Sequence, residues 1–333
     1  MTSLDAFRIH RDADPFVAGL ESMPLDALTA GDVVVDVLYS SVNYKDALAG
    51  TNRGRILKAP VLNGGIDLAG RVLSSESPAF AVGDEVFCCG AGLSEHRDGG
   101  YATRARLPAS CLMRPPAGLS LRDTMAIGTA GITAMIAVQR MQDNGQPSDH
   151  GPILVTGASG GVGSFAVHLL ARSDLGVTAS TGKPSAREYL TTLGAAEVIG
   201  RIDADTPPRA LDEGRWGGAV DSLGGVPLAR IASSTRAWGS IACIGLAAGA
   251  ALDTSVMPLI LRGVSLLGIN GIECPPSVLE RAWTRIATLV EPATLARIAP
   301  HETTLAGLPE VFERILAGEV TGRTVVVVQS PDT

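Results

Sequence analysis

Residues 153–163, ILVTGASGGVG, constrain this chain more than any other stretch. An apolar strand runs into a turn carrying Gly160, Gly161 and Gly163, and an apolar helical pattern follows over 164–172. Glycines open backbone angles closed to other residues and let a pyrophosphate approach the main chain without meeting a β-carbon. The helix behind such a turn offers its free N–H groups to phosphate oxygens. Set against the GxGxxG fingerprint, Ala158 takes the first glycine place, Gly160 the second and Gly163 the third. That motif alone is weak, but a second apolar strand at 176–181 completes a βαβ unit, which makes the turn a nucleotide-binding elbow.

Further strands are expected at 197–199, 218–223, 240–245 and 265–269, giving a six-stranded doubly wound parallel sheet in an α/β fold. Only 4% aromatic and 18% charged residues suit strands buried on both faces. Before the elbow, short strands at 33–40, 65–72 and 83–87 suggest a small barrel. Residues 90–103 read as an exposed loop, and 124–141 as a helix. After the sheet, 276–289 and 308–317 read as amphipathic helices. The closing strand, 322–329, is isolated and should pair back with the N-terminal barrel. A chain of 333 residues accommodates two such domains.

The net charge of −7 argues against a nucleic-acid binder. Five cysteines without CxxC spacing indicate neither a disulfide framework nor a zinc knuckle, and fit a reducing cytoplasm. The N-terminal stretch has no signal-type apolar core, and the longest uncharged apolar run, 241–252, is too short for a bilayer, so no membrane association is expected. The histidines His10, His96, His150, His168 and His301 have no ligand spacing.

The segments SVNYKDALAG, GIDLAG, VGDEVF, DGGYAT, GTAGITA, VTGASGGVG, LGAAEVI, VDSLGG, GLAAG and GRTVVVV occur in this order along nearly the whole chain. In them the chain resembles the zinc-free quinone-oxidoreductase branch of the medium-chain dehydrogenase/reductase superfamily, and within it the acrylyl-CoA reductase group. The resemblance implies a GroES-like β-barrel catalytic domain, residues 1–123 and 298–333, around a Rossmann NADPH-binding domain, 124–297, with cofactor and substrate in the cleft between. The place resembling a first zinc-ligating cysteine is Asn43, and the place of a Gly-His-Glu motif is Gly65-Ile66-Asp67, so no metal is implied. Asn63-Gly64 departs from the proline usual before that motif.

An NAD enzyme places a carboxylate after the second sheet strand to read the ribose 2′-hydroxyl. This chain has Ser180-Thr181-Gly182-Lys183 there, with Arg201 after the third strand, which favours the 2′-phosphate of NADPH. Cofactor contacts are thus expected from Ser159, Gly160, Gly161, Val162, Thr181, Gly182, Lys183 and Arg201, and the resemblance adds Leu246, Ile260 and Tyr44. Hydride transfer to the β-carbon of an enoyl thioester drives charge onto the thioester oxygen, so a donor is needed there and an acid for the α-carbon. Tyr44 is the leading donor, for orientation or proton delivery. Arg323 binds phosphate, polarises a carbonyl or closes a structural ion pair. Arg53, Arg55 and Lys58 form a basic cluster that either meets the phosphates of coenzyme A or is a solvated face.

The expected activity is therefore NADPH-dependent reduction of a small enoyl-CoA, acryloyl-CoA to propionyl-CoA. A quinone or enone reductase and a non-catalytic NADPH-binding dimer are the alternatives. The apolar strand 265–269 at the outer edge of the sheet invites a partner, and the expected assembly is a homodimer.

Overall fold

The computed structural model describes residues 3–330. The chain divides into two compact units, one running to Thr129 and resuming at Leu295, the other Ala130–Thr294. These divisions fall a few residues from 123/124 and 297/298. The first lies beside Gly128, which takes φ 50° and ψ −163° inside a long helix.

In chain order the first unit holds β1 (Ser3–His10), β2 (Val17–Pro24), β3 (Val33–Val42), α1 (Tyr44–Gly50), β4 (Val61–Asn63), β5 (Asp67–Ser75), β6 (Glu85–Cys89) and β7 (Arg104–Leu107). α2 (Leu121–Asp143) follows. β1 and β2 form an antiparallel pair that the N-terminal sequence had not revealed, and β4 joins β1 on its other edge. β3 is the spine of the second sheet, pairing with β5 and β7; its β-branched run is buried along most of its length.

The second unit carries β8 (Ile153–Val155), α3 (Gly161–Ala171), β9 (Val177–Ser180), α4 (Arg187–Thr192), β10 (Glu197–Ile199), β11 (Gly218–Asp221), α5 (Gly225–Ser233), β12 (Ser240–Cys243), α6 (Met257–Arg262), β13 (Ser265–Gly268) and α7 (Pro276–Leu289). Its six strands run in the order β10-β9-β8-β11-β12-β13, all parallel. This is the doubly wound arrangement, with the chain reversing its direction of spread between β8 and β11. In α7 the buried residues Ala282, Trp283 and Ile286 recur at helical spacing, which is why this segment folds as an amphipathic helix. α2, not the 241–252 run, is the stretch that by length and composition could cross a membrane, but most of it is buried within the protein.

The chain then gives α8 (Pro292–Ile298), β14 (His301–Thr303), α9 (Leu308–Leu316) and β15 (Thr324–Val327). β15 pairs antiparallel with β3, returning the C-terminal stretch to the first unit as expected. Phe312 of α9 packs edge-on to Phe7 at 5.7 Å between centroids and lies 6.2 Å from Tyr101. A β-carbon on Gly50 would collide with the Phe312 ring, so the glycine lets α1 lie directly on α9. Burying aromatic rings of this size contributes roughly 2 to 3 kcal/mol each.

The 90–103 segment corrects the expectation of an exposed loop. Leu93, Ser94, Asp98, Tyr101 and Ala102 are buried. Gly99 and Gly100 leave no room for side chains against the backbone of Gly64, Gly65 and Asp67, and Asp98 accepts hydrogen bonds from the N–H groups of Thr29 and Asn63. Polar residues here answer buried backbone groups instead of solvent.

Candidate functional site

In the second unit, the C-terminal ends of β8, β9, β11 and β12 gather loops at the topological switch point. The elbow's left-handed residue is Gly157 (φ 57°), one place before the position that the fingerprint assigns to Ala158. Gly160 caps α3 in an extended conformation, so the N–H groups of Gly161 and Val162 open the helix. At Gly163 a β-carbon would stand 2.6 Å from Ala158 Cα, so only glycine lets helix and strand approach this closely. The buried Ser159 shares a 2.9 Å hydroxyl hydrogen bond with Thr181, whose oxygen also accepts from the Lys183 N–H. The Arg201 guanidinium lies over Gly182, where a β-carbon would collide with it. Arg201 is exposed, while Lys183 is half-buried, and that burial lowers its pKa.

At the end of β9 the Arg201 guanidinium thus lies at Gly182, and Lys183 follows it in the chain with its backbone N–H on Thr181. The structure brings Ser159, Thr181, Gly182, Lys183 and Arg201 together around that strand end. Leu246, largely exposed, lies in the loop after β12 that reaches the Ser222 carbonyl through the Ala247 N–H. Ile260 is exposed on α6, and among the described residues no hydrogen bond joins α6 to the elbow.

In the first unit, a buried polar knot underlies the N-terminus of α1. Asp67, wholly buried, accepts from Ser41 Oγ at 2.5 Å, Asn43 Nδ2 at 2.8 Å, and the hydroxyl and N–H of Thr129. The break at Gly128 delivers Thr129 to that carboxylate. A β-carbon on Gly128 would stand 2.6 Å from Arg323 Nη2 and 2.7 Å from Asp67 Oδ2. Arg323 donates to Val42 O, Asn43 Oδ1, Ser41 Oγ and Ala126 O, and its Nη2 lies 3.8 Å from Asp67. Burial lowers its pKa, and Asp67 and Asp46 pull it back up.

Asp46 holds the head of α1 itself. Its two oxygens accept from the N–H groups of Asn43 and Ile66. Burial, reinforced by the neighbouring charge of Asp67, raises its pKa to about 7. Tyr101 donates to the Ser41 carbonyl at 3.0 Å, and burial holds its phenol pKa well above the ordinary value. Above this knot Tyr44, the first residue of α1, is 48% exposed, so its phenol is accessible while its backbone is fixed from below.

One expectation is corrected. Arg323 is 3% exposed and its guanidinium is committed to the knot, so it has the structural role and not that of a residue facing substrate. The basic cluster is partly compensated, because Arg53 pairs with Glu313 at 2.8 Å; Arg53, Arg55 and Lys58 are all exposed. The sequence points to Asn43 and Asp46 as ordering this loop and to Asp67 as its anchor, which the hydrogen bonds match, but gives no sign that Asp46 is a strongly shifted acid.

Two family descriptions match, the alcohol dehydrogenase GroES-like domain over residues 29–117 and the zinc-binding dehydrogenase over 161–288. The chain is 43% identical to acrylyl-CoA reductase AcuI of Ruegeria pomeroyi over 94% of its own length and 95% of that protein's. It is 41% identical to the putative quinone oxidoreductase YhfP of Bacillus subtilis over 98% of its length and 99% of that protein's. The crystal structure of YhfP with NAD bound superposes with a TM-score of 0.92 over 98% of this chain and all of that one. Escherichia coli YhdH with bound NADPH, 40% identical, superposes at 0.94 over 97% of this chain and all of that one.

The zinc in one family description does not suit these residues. Among those described, no group of three or more His, Cys, Asp or Glu side chains could hold a metal ion. Asn43 presents an amide, Ile66 no donor, and the Asp67 oxygens are already filled by hydrogen bonds beside a guanidinium. With a GroES-like domain, a Rossmann-like parallel sheet and full-length relatives at 40–43% identity, the chain is an oxidoreductase and belongs to the medium-chain dehydrogenase/reductase superfamily.

Proposed function

We propose that the chain reduces the α,β double bond of a small enoyl-CoA, acryloyl-CoA to propionyl-CoA, using NADPH and no metal. The observation that carries this reading is the Arg201 guanidinium at Gly182, with Lys183 the next residue in the chain, at the strand end where a reader of the ribose 2′-hydroxyl would place a carboxylate. The likeness to acrylyl-CoA reductase AcuI supports the enoyl-CoA part. The NADPH held by YhdH supports the cofactor part.

When bound, NADPH supplies the hydride. The glycine turn and the N–H groups of Gly161 and Val162 receive its pyrophosphate. Thr181, Lys183 and Arg201 receive the 2′-phosphate through charge-assisted hydrogen bonds. As charge builds on the thioester oxygen, a donor stabilises it and an acid protonates the α-carbon. Tyr44 is assigned to that work because its phenol is exposed at the head of a helix whose start is held by Asn43 and Asp46. Glu313 already offsets Arg53, so Arg55 and Lys58 carry most of the attraction for coenzyme A phosphates.

The test is a substrate and cofactor panel, following reductant loss with acryloyl-CoA, crotonoyl-CoA and a benzoquinone. Acryloyl-CoA with NADPH is expected to give the highest kcat/KM, unaffected by chelators. NADH should be poorer by about tenfold or more, the scale of one lost charge-assisted contact. Lys183→Ala should narrow that gap. Equal efficiency with NADH, the cofactor form bound in the YhfP structure, would remove the cofactor assignment. Faster benzoquinone reduction would favour the quinone or enone reductase that the YhfP name suggests.

The assembly we infer is a homodimer through β13, the outer strand of the six-stranded sheet, in a cytoplasmic enzyme. The same unit exposes Trp238, Ile260 and Leu261, each more than 60% accessible, on and beside α6. Light scattering at micromolar concentration should give twice the chain mass; a monomer mass would refute the assembly.

A further inference from the structure

Asp221 closes the interior strand β11 at the same C-terminal strand ends that carry the glycine elbow, and it is wholly buried. Its carboxylate joins separate loops. Oδ1 accepts the Thr156 hydroxyl at 2.8 Å, and Thr156 is the residue just before the left-handed Gly157. Oδ2 accepts the Gly224 N–H at 2.8 Å, at the start of α5. The Thr156 hydroxyl accepts in turn from the Ser222 N–H, so it is locked as donor to Asp221 and acceptor from the next loop.

A third loop rests on the second. The N–H groups of Ala247 and Ala248 donate to the carbonyls of Ser222 and Leu223, and Gly224 bridges to Gly249. Gly224 has φ 65°, and a β-carbon there would stand 3.2 Å from Leu246 Cα. One side chain therefore sets the relative placement of the loops after β8, β11 and β12. Burial raises the Asp221 pKa, while its Gly224 and Thr156 hydrogen bonds oppose that rise, as expected of a carboxylate kept for its acceptors.

A dinucleotide lies across the switch point with its pyrophosphate at the elbow. Lys183 and Arg201 mark the β9 side for the adenosine phosphate, so the nicotinamide half extends over β11 and β12. We propose that Asp221 is a positioning residue for the nicotinamide half of the cofactor, acting through Thr156 and the 222–225 and 245–249 loops. The proposal rests on the reading of the elbow as an NADPH site.

The experiment compares NADPH with 2′,5′-ADP, which carries the adenosine and its 2′-phosphate but no nicotinamide. Dissociation constants are measured by calorimetry for wild type, Asp221→Asn, Thr156→Val and Thr156→Ser. Asparagine removes one of the two acceptors, and valine removes the hydroxyl at nearly constant shape. The expected result is about a tenfold weaker NADPH affinity in Asp221→Asn and Thr156→Val, the effect of one buried hydrogen bond, with 2′,5′-ADP affinity unchanged. Thr156→Ser should keep wild-type affinity for both, which a requirement for threonine packing alone would not give. Equal losses for both ligands, or no loss for either, would overturn the assignment of Asp221. Failure of the wild type to bind either ligand would remove the cofactor reading and this proposal together, a distinct outcome.

Discussion

Asp46→Asn should make the stability of this protein markedly less dependent on pH. The Asp46 carboxyl is raised from 3.8 to about 7, chiefly by burial and then by Asp67. Its folded form therefore holds a proton more tightly than its unfolded form. A group raised in this way contributes stability that is fully present below about pH 4 and is lost as pH rises through about 7. A rise of that size corresponds to a contribution on the order of 4 kcal/mol. Asparagine does not titrate but turns one of the two acceptors for the Asn43 and Ile66 N–H groups into a donor, so the variant should be about 1 to 3 kcal/mol less stable than wild type near pH 4 and gain on the order of 4 kcal/mol relative to it by pH 8. The groups facing Asp46 are Asp67 on β5, Tyr101 before β7 and Arg323 before β15, and all remain in the variant. Urea unfolding of both proteins across this range measures the difference; a gap constant with pH would show that Asp46 does not hold the proton.

The parallel sheet was legible because its signals are local. Each strand is a short apolar run, and the glycine elbow with its flanking strand and helix names the switch point within a few dozen residues. Even there the fingerprint misplaced one feature. It aligned Ala158 with the first glycine, whereas the turn takes its left-handed angle at Gly157. Motif spacing records which residues lack a β-carbon, not which of them bends the chain.

The knot was not legible, because its parts lie far apart in sequence. Ser41, Asp67, Thr129 and Arg323 meet only after β15 has paired with β3 and α2 has broken at Gly128. Read alone, an arginine in a GRT turn suits a site as well as an ion pair. The same distance effect hid the fate of residues 90–103, whose glycines matter through the strand end they touch. The basic run of Arg53, Arg55 and Lys58 was read correctly as exposed charge, yet Glu313, which offsets part of it, comes from α9 at the other end of the chain.

Removing the arginine is expected to have the other large effect, on stability before activity. Arg323→Leu leaves Asp67 buried beside Asp46 with no cation, and it strips donors from Val42 O, Asn43 Oδ1 and Ser41 Oγ. Breaking a buried pair from one side costs about 3 to 5 kcal/mol. Gly128→Ala should be comparably damaging, since its methyl would enter the same guanidinium and carboxylate while the backbone is held at φ 50°. Because the loss in Arg323→Leu comes largely from uncompensated negative charge, adding Asp67→Asn should return part of it. An arginine acting on substrate predicts otherwise: near wild-type unfolding, a lower kcat, and no recovery from Asp67→Asn. Urea unfolding of the single and double variants at pH 7, beside kcat of the folded fraction, separates the two. Wild-type stability in Arg323→Leu would return the residue to the catalytic role that its burial denies it.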